Sequence, residues 1–140
     1  MIFVPPCTVE GIEFHHAPAE MIEGRPCLAL SASVEETFIA RLEYSWNATA
    51  KHIEWLTVDS DFEDTGLPEG LVLRLVNTMV NCRRRWVTVR INERRLERLN
   101  WYKGLGFRAH NKSVLRDAIN PGVDAFELRF DTSPYKREVK

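Results

Sequence analysis

Apolar and polar positions alternate along this chain in two distinct periods. From Cys27 onward, "CLALSAS" (27–33) and "TFIARLEYSW" (37–46) alternate with period two. They predict two strands joined by a turn around Val34, Glu35 and Glu36, and "HIEWLTV" (52–58) predicts a third after the Asn47-Ala48-Thr49-Ala50 turn. Three strands with such short connections predict an antiparallel meander. The period then changes: Leu67, Leu71, Leu75 and Met79 recur every four residues, and Val72, Val76 and Val80 widen the stripe. This predicts a helix over 67–83 with one broad buried face, and Pro68 suits its first turn, where an N–H has no intrahelical partner to lose. "WVTVRI" (86–91) predicts a strand, "ERRLERLNWYKGLGF" (93–107) a second helix ended by glycine, and "DAFELRF" (124–130) a last strand. A strand, helix, strand succession from 52 to 91 requires a crossover, so the sheet is expected to be mixed. Residues 1–26, punctuated by Pro5, Pro6, Gly11, Pro18, Gly24 and Pro26, are expected to be irregular and to wrap the core.

Composition narrows the class. The 140 residues are 44% hydrophobic and 28% charged, which suits one α/β domain over 1–140 with an ordinary core. No apolar run approaches the ~20 residues of a membrane-spanning helix, so no membrane is expected as a partner. The opening Met1-Ile2-Phe3-Val4-Pro5-Pro6 has no basic, then apolar, signal pattern, and a cytoplasmic location is expected. Cys7, Cys27 and Cys82 are odd in number and widely spaced, and are expected to be reduced thiols. His15 and His16 are adjacent, so their side chains diverge, and no metal site is expected.

The net charge is −1, yet its distribution is uneven. Arg83, Arg84, Arg85, Arg90, Arg94, Arg95, Arg98 and Lys103 are opposed only by Glu93 and Glu97, whereas residues 54–69 carry six acids and no base. The first stretch attracts anions locally and the second repels them.

Three pieces, "HIEWLTVDSDFEDTGLPEGLVLRLV", "WVTVRIN" and "LNWYKGLGF", together resemble the GNAT superfamily of acyl-CoA-dependent N-acyltransferases across residues 27–130. The resemblance implies an α/β fold with a mixed, splayed sheet and helices on both faces. It implies acetyl-CoA as cosubstrate, with its pyrophosphate at the N-terminus of the 67–83 helix, and transfer of the acyl group to an amine on a small molecule or a protein. Carried over residue by residue, Tyr102 is implied as the acid that protonates the departing thiolate, and Glu54 as the base that receives the amine proton. His52, on the same face of the strand by alternation along with Leu56 and Val58, is an alternative base. The backbone of Leu56, Thr57 and Val58 would pair with the pantetheine arm, the N–H groups of Thr65, Gly66 and Leu67 would meet phosphate, and Asn92 resembles a cofactor-contacting asparagine, displaced by three residues. Family members often form homodimers, but no exposed apolar stripe marks one in the sequence.

The loop before the helix departs from that pattern. With Gly66 at the first glycine of the family loop, Glu63 stands where a basic or amide side chain is usual and Pro68 where a second glycine is usual. A like charge near the phosphates repels them, and proline removes a donor. Two expectations follow. Either Arg83, Arg84 and Arg85, or Arg94 and Arg95, supply the missing positive charge and an enzyme results, or the chain is a catalytically inactive module that binds a protein partner. A third reading, nucleic-acid binding through residues 83–98, is disfavoured by the near-neutral total charge.

Overall fold

The computed structural model describes residues 4, 6–92, 94–115 and 123–136. Residues 1–3 and Pro5 in the opening stretch, and Glu93 ahead of the second helix, lie outside the described residues. Strands β1 (Ile12–Ile22), β2 (Arg25–Val34), β3 (Thr37–Trp46) and β4 (Ala50–Val58) are followed by helix α1 (Leu67–Asn77), β5 (Trp86–Asn92), helix α2 (Leu96–Leu105), β6 (Arg108–Leu115) and β7 (Val123–Asp131). They form one seven-stranded sheet in the order β1-β2-β3-β4-β5-β7-β6. Only β4 and β5 pair in parallel; the other neighbours are antiparallel.

The expectation of an irregular opening is corrected by β1, which pairs with β2 from Ile12↔Val34 to Ile22↔Arg25. Pro18 is admissible there because β1 has a partner on one side only, so the missing N–H can face away from the ladder. The β1–β2 and β2–β3 hairpins turn on two residues each, Glu23-Gly24 and Glu35-Glu36, all four at positive φ. That is the turn whose twist matches paired strands. The first helix is shorter than its apolar stripe, ending at Asn77, with Met79 and Val80 buried in the turns beyond it.

Strand alternation assigns side chains to two faces. One carries Leu42, Tyr44 and Ile53, then Val87 and Val89, then Leu128 and Phe130, and this floor packs with Leu71, Leu75 and Val76 of α1 and Leu99 and Tyr102 of α2 in a single core. Both helices therefore lie on the same face, in place of the expected helices on both, because each belongs to a right-handed parallel crossover running the same way across the sheet. A two-residue hairpin joins β1 to β2, and the opposite face bears small or paired polar side chains: Ser31, Ser33 and Ser45, with Arg25–Glu54, Arg41–Glu43 and Arg129–Glu127 ion pairs. Among the described residues no helix is long and apolar enough to cross a membrane.

Candidate functional site

Where β4 and β5 part, the sheet opens. Their pairing runs from Ala50↔Trp86 to Ile53↔Val89 and stops, although β4 continues to Val58 and β5 to Asn92. The cause is visible in the register of β4 against β3. Tyr44 pairs with Ile53 and Glu43 with Trp55, so Glu54 is an extra residue, a β-bulge that turns the rest of β4 away from β5. Beyond the bulge, Leu56, Thr57 and Val58 pair with Leu42, Arg41 and Ala40 on one side only. Among the described residues their other backbone edge faces the opening without a strand partner, and an extended ligand with amide groups could pair along it.

The bulge also resets alternation. Strict alternation sets His52, Glu54, Leu56 and Val58 on one face, but Leu56 and Val58 share the face of Ile53 and the core, whereas His52 and Glu54 lie on the other. Glu54 accepts a hydrogen bond from the Ser45 hydroxyl (2.6 Å) and forms an ion pair with Arg25 (3.1 Å) through the same oxygen, its side chain 19% exposed.

His52 is held more completely. Asn47 Oδ1 accepts from the amides of Thr49 and Ala50, both at 2.9 Å, and from the Thr49 hydroxyl at 3.1 Å, which fixes the amide's orientation. Its Nδ2 must then donate to His52 Nε2 at 2.9 Å, leaving Nδ1–H to donate to Thr88 Oγ1. Burial depresses the histidine's proton affinity, with Glu54 pulling the other way, in keeping with a neutral ring. Both ring nitrogens are engaged, so His52 can accept a proton only if Asn47 moves.

Tyr102 lies in α2 with its ring against Trp101 on one side and Phe107 on the other, centroids 4.8 and 5.2 Å away. It is 4% exposed, and burial pushes its phenol up to about 12, against a smaller opposing pull from Arg98. The phenol keeps its proton at physiological pH.

The loop from β4 to α1 keeps a cradle's shape. Gly66 adopts φ +84°, and a Cβ there would lie 3.1 Å from the carbonyl oxygen of Pro6, so the N-terminal segment braces the turn from outside. Thr8 N–H donates to Thr65 O at 3.0 Å in the same contact. The donors are another matter. The Leu67 N–H, expected to face a phosphate, already donates to Thr65 Oγ1 (3.3 Å); Pro68 has none; Gly70 N–H closes on Gly66 O. Glu69, in the first turn, accepts from Trp101 Nε1–H at 3.1 Å with one carboxylate oxygen while the other is buried without a partner. This bond ties the helix after β4 to the helix after β5, across the opening. At about 4 Å and an effective dielectric near 20, each like-charge pair between such a carboxylate and a phosphate costs about 4 kcal/mol.

Arg83, Arg84 and Arg85 do not repair the loop. They follow α1 and precede β5, at the far end of a helix about 16 Å long. Arg84 donates to Asn47 O (2.6 Å), and Arg85 makes a two-pronged bond to Asp131 (3.1 and 2.9 Å) while stacking on Trp86. Arg94 and Arg95 are at the other end of β5, the end at which its parallel neighbour β4 leads into α1, and Asn92 Oδ1 accepts from the Arg94 amide there. The basic segment is thus split between opposite ends of a strand, which removes the continuous nucleic-acid surface that residues 83–98 suggested. Among the described residues no cluster of metal-ligating side chains occurs.

No family model and no curated relative matches this sequence. Solved structures do match its shape. A GNAT family acetyltransferase from Elizabethkingia anophelis with acetyl-CoA bound superposes with a TM-score of 0.69 at 13% identity, covering 88% of this chain and 99% of that one. The chain has the GNAT fold. Further similar structures are a putative acetyltransferase of the GNAT family from Desulfovibrio desulfuricans (TM-score 0.64, 17% identity, 76% and 69% covered) and the ribosomal-protein-S18-alanine N-acetyltransferase from Escherichia coli (0.66, 13%, 81% and 72%). Within this GNAT fold, a CoA thioester fits by halves. The bulged edge of β4 and the parted β5 suit a pantetheine arm, whereas the self-bonded, acidic first turn of α1 does not suit a diphosphate.

Sequence reasoning missed the bulge at Glu54, its clamp by Ser45 and Arg25, and the placement of Glu69 against Trp101. Only the Asn47-Ala48-Thr49 turn carried a signal, since Asn47 is the residue that orients His52.

Proposed function

We propose that this protein transfers an acyl group from a CoA-type thioester, acetyl-CoA in the simplest case, to an amine. The observation that carries the reading is the opening itself: a bulge at Glu54 leaves the edge of residues 56–58 unpaired beyond the point where β4 and β5 part. The fold similarity to acetyltransferases, among them one with acetyl-CoA bound, supports it.

In this reading the thioester lies extended along Leu56, Thr57 and Val58 and its carbonyl meets the amine at the parting. Glu54, held at Oε1 by Ser45 and Arg25, receives the amine proton, and Tyr102 supplies the proton for the thiolate. Most of the rate then comes from holding two reactants in line. Incubating the purified protein with millimolar acetyl-CoA and a panel of primary amines, and following both free thiol and acetylated product, tests the assignment. Catalysed release with matching product is expected; no turnover, together with no change in the amide resonances of residues 56–58, would end this reading.

A further inference from the structure

The flank of α1 that looks toward β1 is open. Leu71, Arg74 and Thr78 follow one another at spacings of three and four along one face of the helix and its cap, and Phe14 and His16 share one face of β1. Leu30 of β2, paired with His16, completes the floor. β1 has no strand beyond it, and a cleft of about 520 Å³ lies between these side chains. Clefts of this size hold small molecules. It shares no lining residue with the opening between β4 and β5.

The cleft is cationic. The Arg74 guanidinium stacks on the Phe14 ring, 3.7 Å from its centre, and makes no hydrogen bond or ion pair with any described residue. Lys51 donates to Thr78 Oγ1 at 2.8 Å and lies over the Tyr44 ring, again with no described carboxylate as partner. Tyr44, 1% exposed, has one described acceptor for its phenolic proton, His16 Nε2 at 2.7 Å. The hydroxyl therefore donates, and Nδ1–H of His16 is left as a donor with no described partner. Burial first, and then the charge of Lys51, hold His16 below its usual value, and the second cause marks a positive field. No aspartate or glutamate lines the cleft, while Phe14, Leu30 and Leu71 give it apolar walls.

We propose that this cleft binds an organic carboxylate with an apolar body, its carboxylate on the Arg74 fork beside His16 and its body against Phe14, Leu30 and Leu71. A guanidinium already flat against a ring has little freedom left to lose, and its paired N–H groups match the two oxygens of a carboxylate. The apolar walls select against a wholly hydrated anion such as inorganic phosphate. The site is separate from acyl transfer and stands whether or not that reading does.

The probe is 2-naphthoate, with uncharged 2-naphthamide as its control, each titrated into isotopically labelled protein while the amides of Phe14, His16, Leu30 and Thr78 are followed. Saturable shifts of these four are expected, with the carboxylate bound at least about tenfold more tightly than the amide, as a charge-assisted bond to arginine requires. Arg74→Gln, at an exposed position that the core does not need, is expected to lose that advantage. Arg41→Gln, on the opposite face of the sheet, is expected to keep it. No shift at millimolar 2-naphthoate, equal binding of the amide, or an unchanged dissociation constant in Arg74→Gln would overturn the proposal. So would displacement by inorganic phosphate at matching concentration, which has no apolar body, or by acetyl-CoA, which would make the cleft part of the donor site.

Discussion

Replacing Tyr102 by phenylalanine separates what its burial does from what its proton does. The phenol sits between two aromatic rings at 4% exposure, and its folded value of about 12 stands against 10 in an exposed chain. The folded state therefore holds the phenolic proton more tightly than the unfolded state does. A group with a raised folded value contributes stability that is whole below pH 10 and is lost as pH climbs toward 12. At pH 11 the two titration curves give a loss of about 1.4 kcal/mol relative to pH 8. Tyr102→Phe cannot titrate, so its stability relative to the parent should rise by that amount over the same interval, read as urea unfolding followed by far-ultraviolet circular dichroism. A difference that stays flat from pH 8 to 11 would refute the buried-phenol argument. Activity gives the second readout. A general acid is worth about 10²–10⁴ in rate, so kcat with acetyl-CoA should fall within that range. An aryl thioester, whose thiolate leaves without protonation, should lose little. Equal losses with both donors would make Tyr102 a packing residue.

Three further outcomes follow from the geometry. Gly106→Ala should destabilise by about 2 kcal/mol or more, because φ is +116° and the new Cβ would sit 2.7 Å from Phe130 Cε2, part of a buried ring; an unchanged urea midpoint would contradict this. Glu35→Asn with Glu36→Gly should raise stability by about 1 kcal/mol, since both residues occupy left-handed backbone in an exposed hairpin turn, and thermal unfolding with no gain would count against that strain. His16 and His52 are both depressed chiefly by burial, so their contribution is whole above pH 6.5 and is lost as pH falls through their folded values; stability measured from pH 7 down to 4.5 should decline less in His52→Asn than in the parent.

How much of this was legible before the structure depends on the range of the forces involved. Period-two and period-four patterns are local, and they located β2, β3, β4, β5, β7 and both helices. β1 was hidden because Pro18 and two glycines read as breakers, and only the sheet's edge makes a proline harmless there. β6 pairs with β7 alone and lacks an apolar alternation to announce it. The GNAT resemblance supplied the opening between β4 and β5, but the bulge that makes it is a register event between two strands, invisible in either one. A one-residue offset was enough to send Leu56 and Val58 to the core while Glu54 stayed with His52. The arginines failed for a related reason. Nearness in sequence to α1 suggested nearness to its first turn, yet a helix carries its two ends about 16 Å apart, and residues 83–85 belong to the wrong end.

The acidic loop is thus better understood as part of the protein's own architecture than as a damaged phosphate cradle. Helix N-termini attract carboxylates as readily as phosphates, and α1 supplies its own: Glu69 in the first turn turns inward to Trp101, and Thr65 accepts the Leu67 amide while its carbonyl receives Thr8. The Leu67 amide is a donor that a diphosphate would need, and the other two bonds join α1 to α2 and the N-terminal segment to the loop. Restoring a phosphate site would accordingly take more than reversing Glu63. Glu69→Gln keeps an acceptor for the Trp101 indole and removes the charge, whereas Glu69→Ala gives up the tie between the helices. The first change should leave the urea midpoint nearly unmoved and the second should lower it, because a part-buried indole N–H loses its acceptor, at a cost of about 1 kcal/mol. If both variants unfold alike, the Glu69–Trp101 bond does not hold the opening's two sides together, and the rigidity of the site must come from the sheet alone.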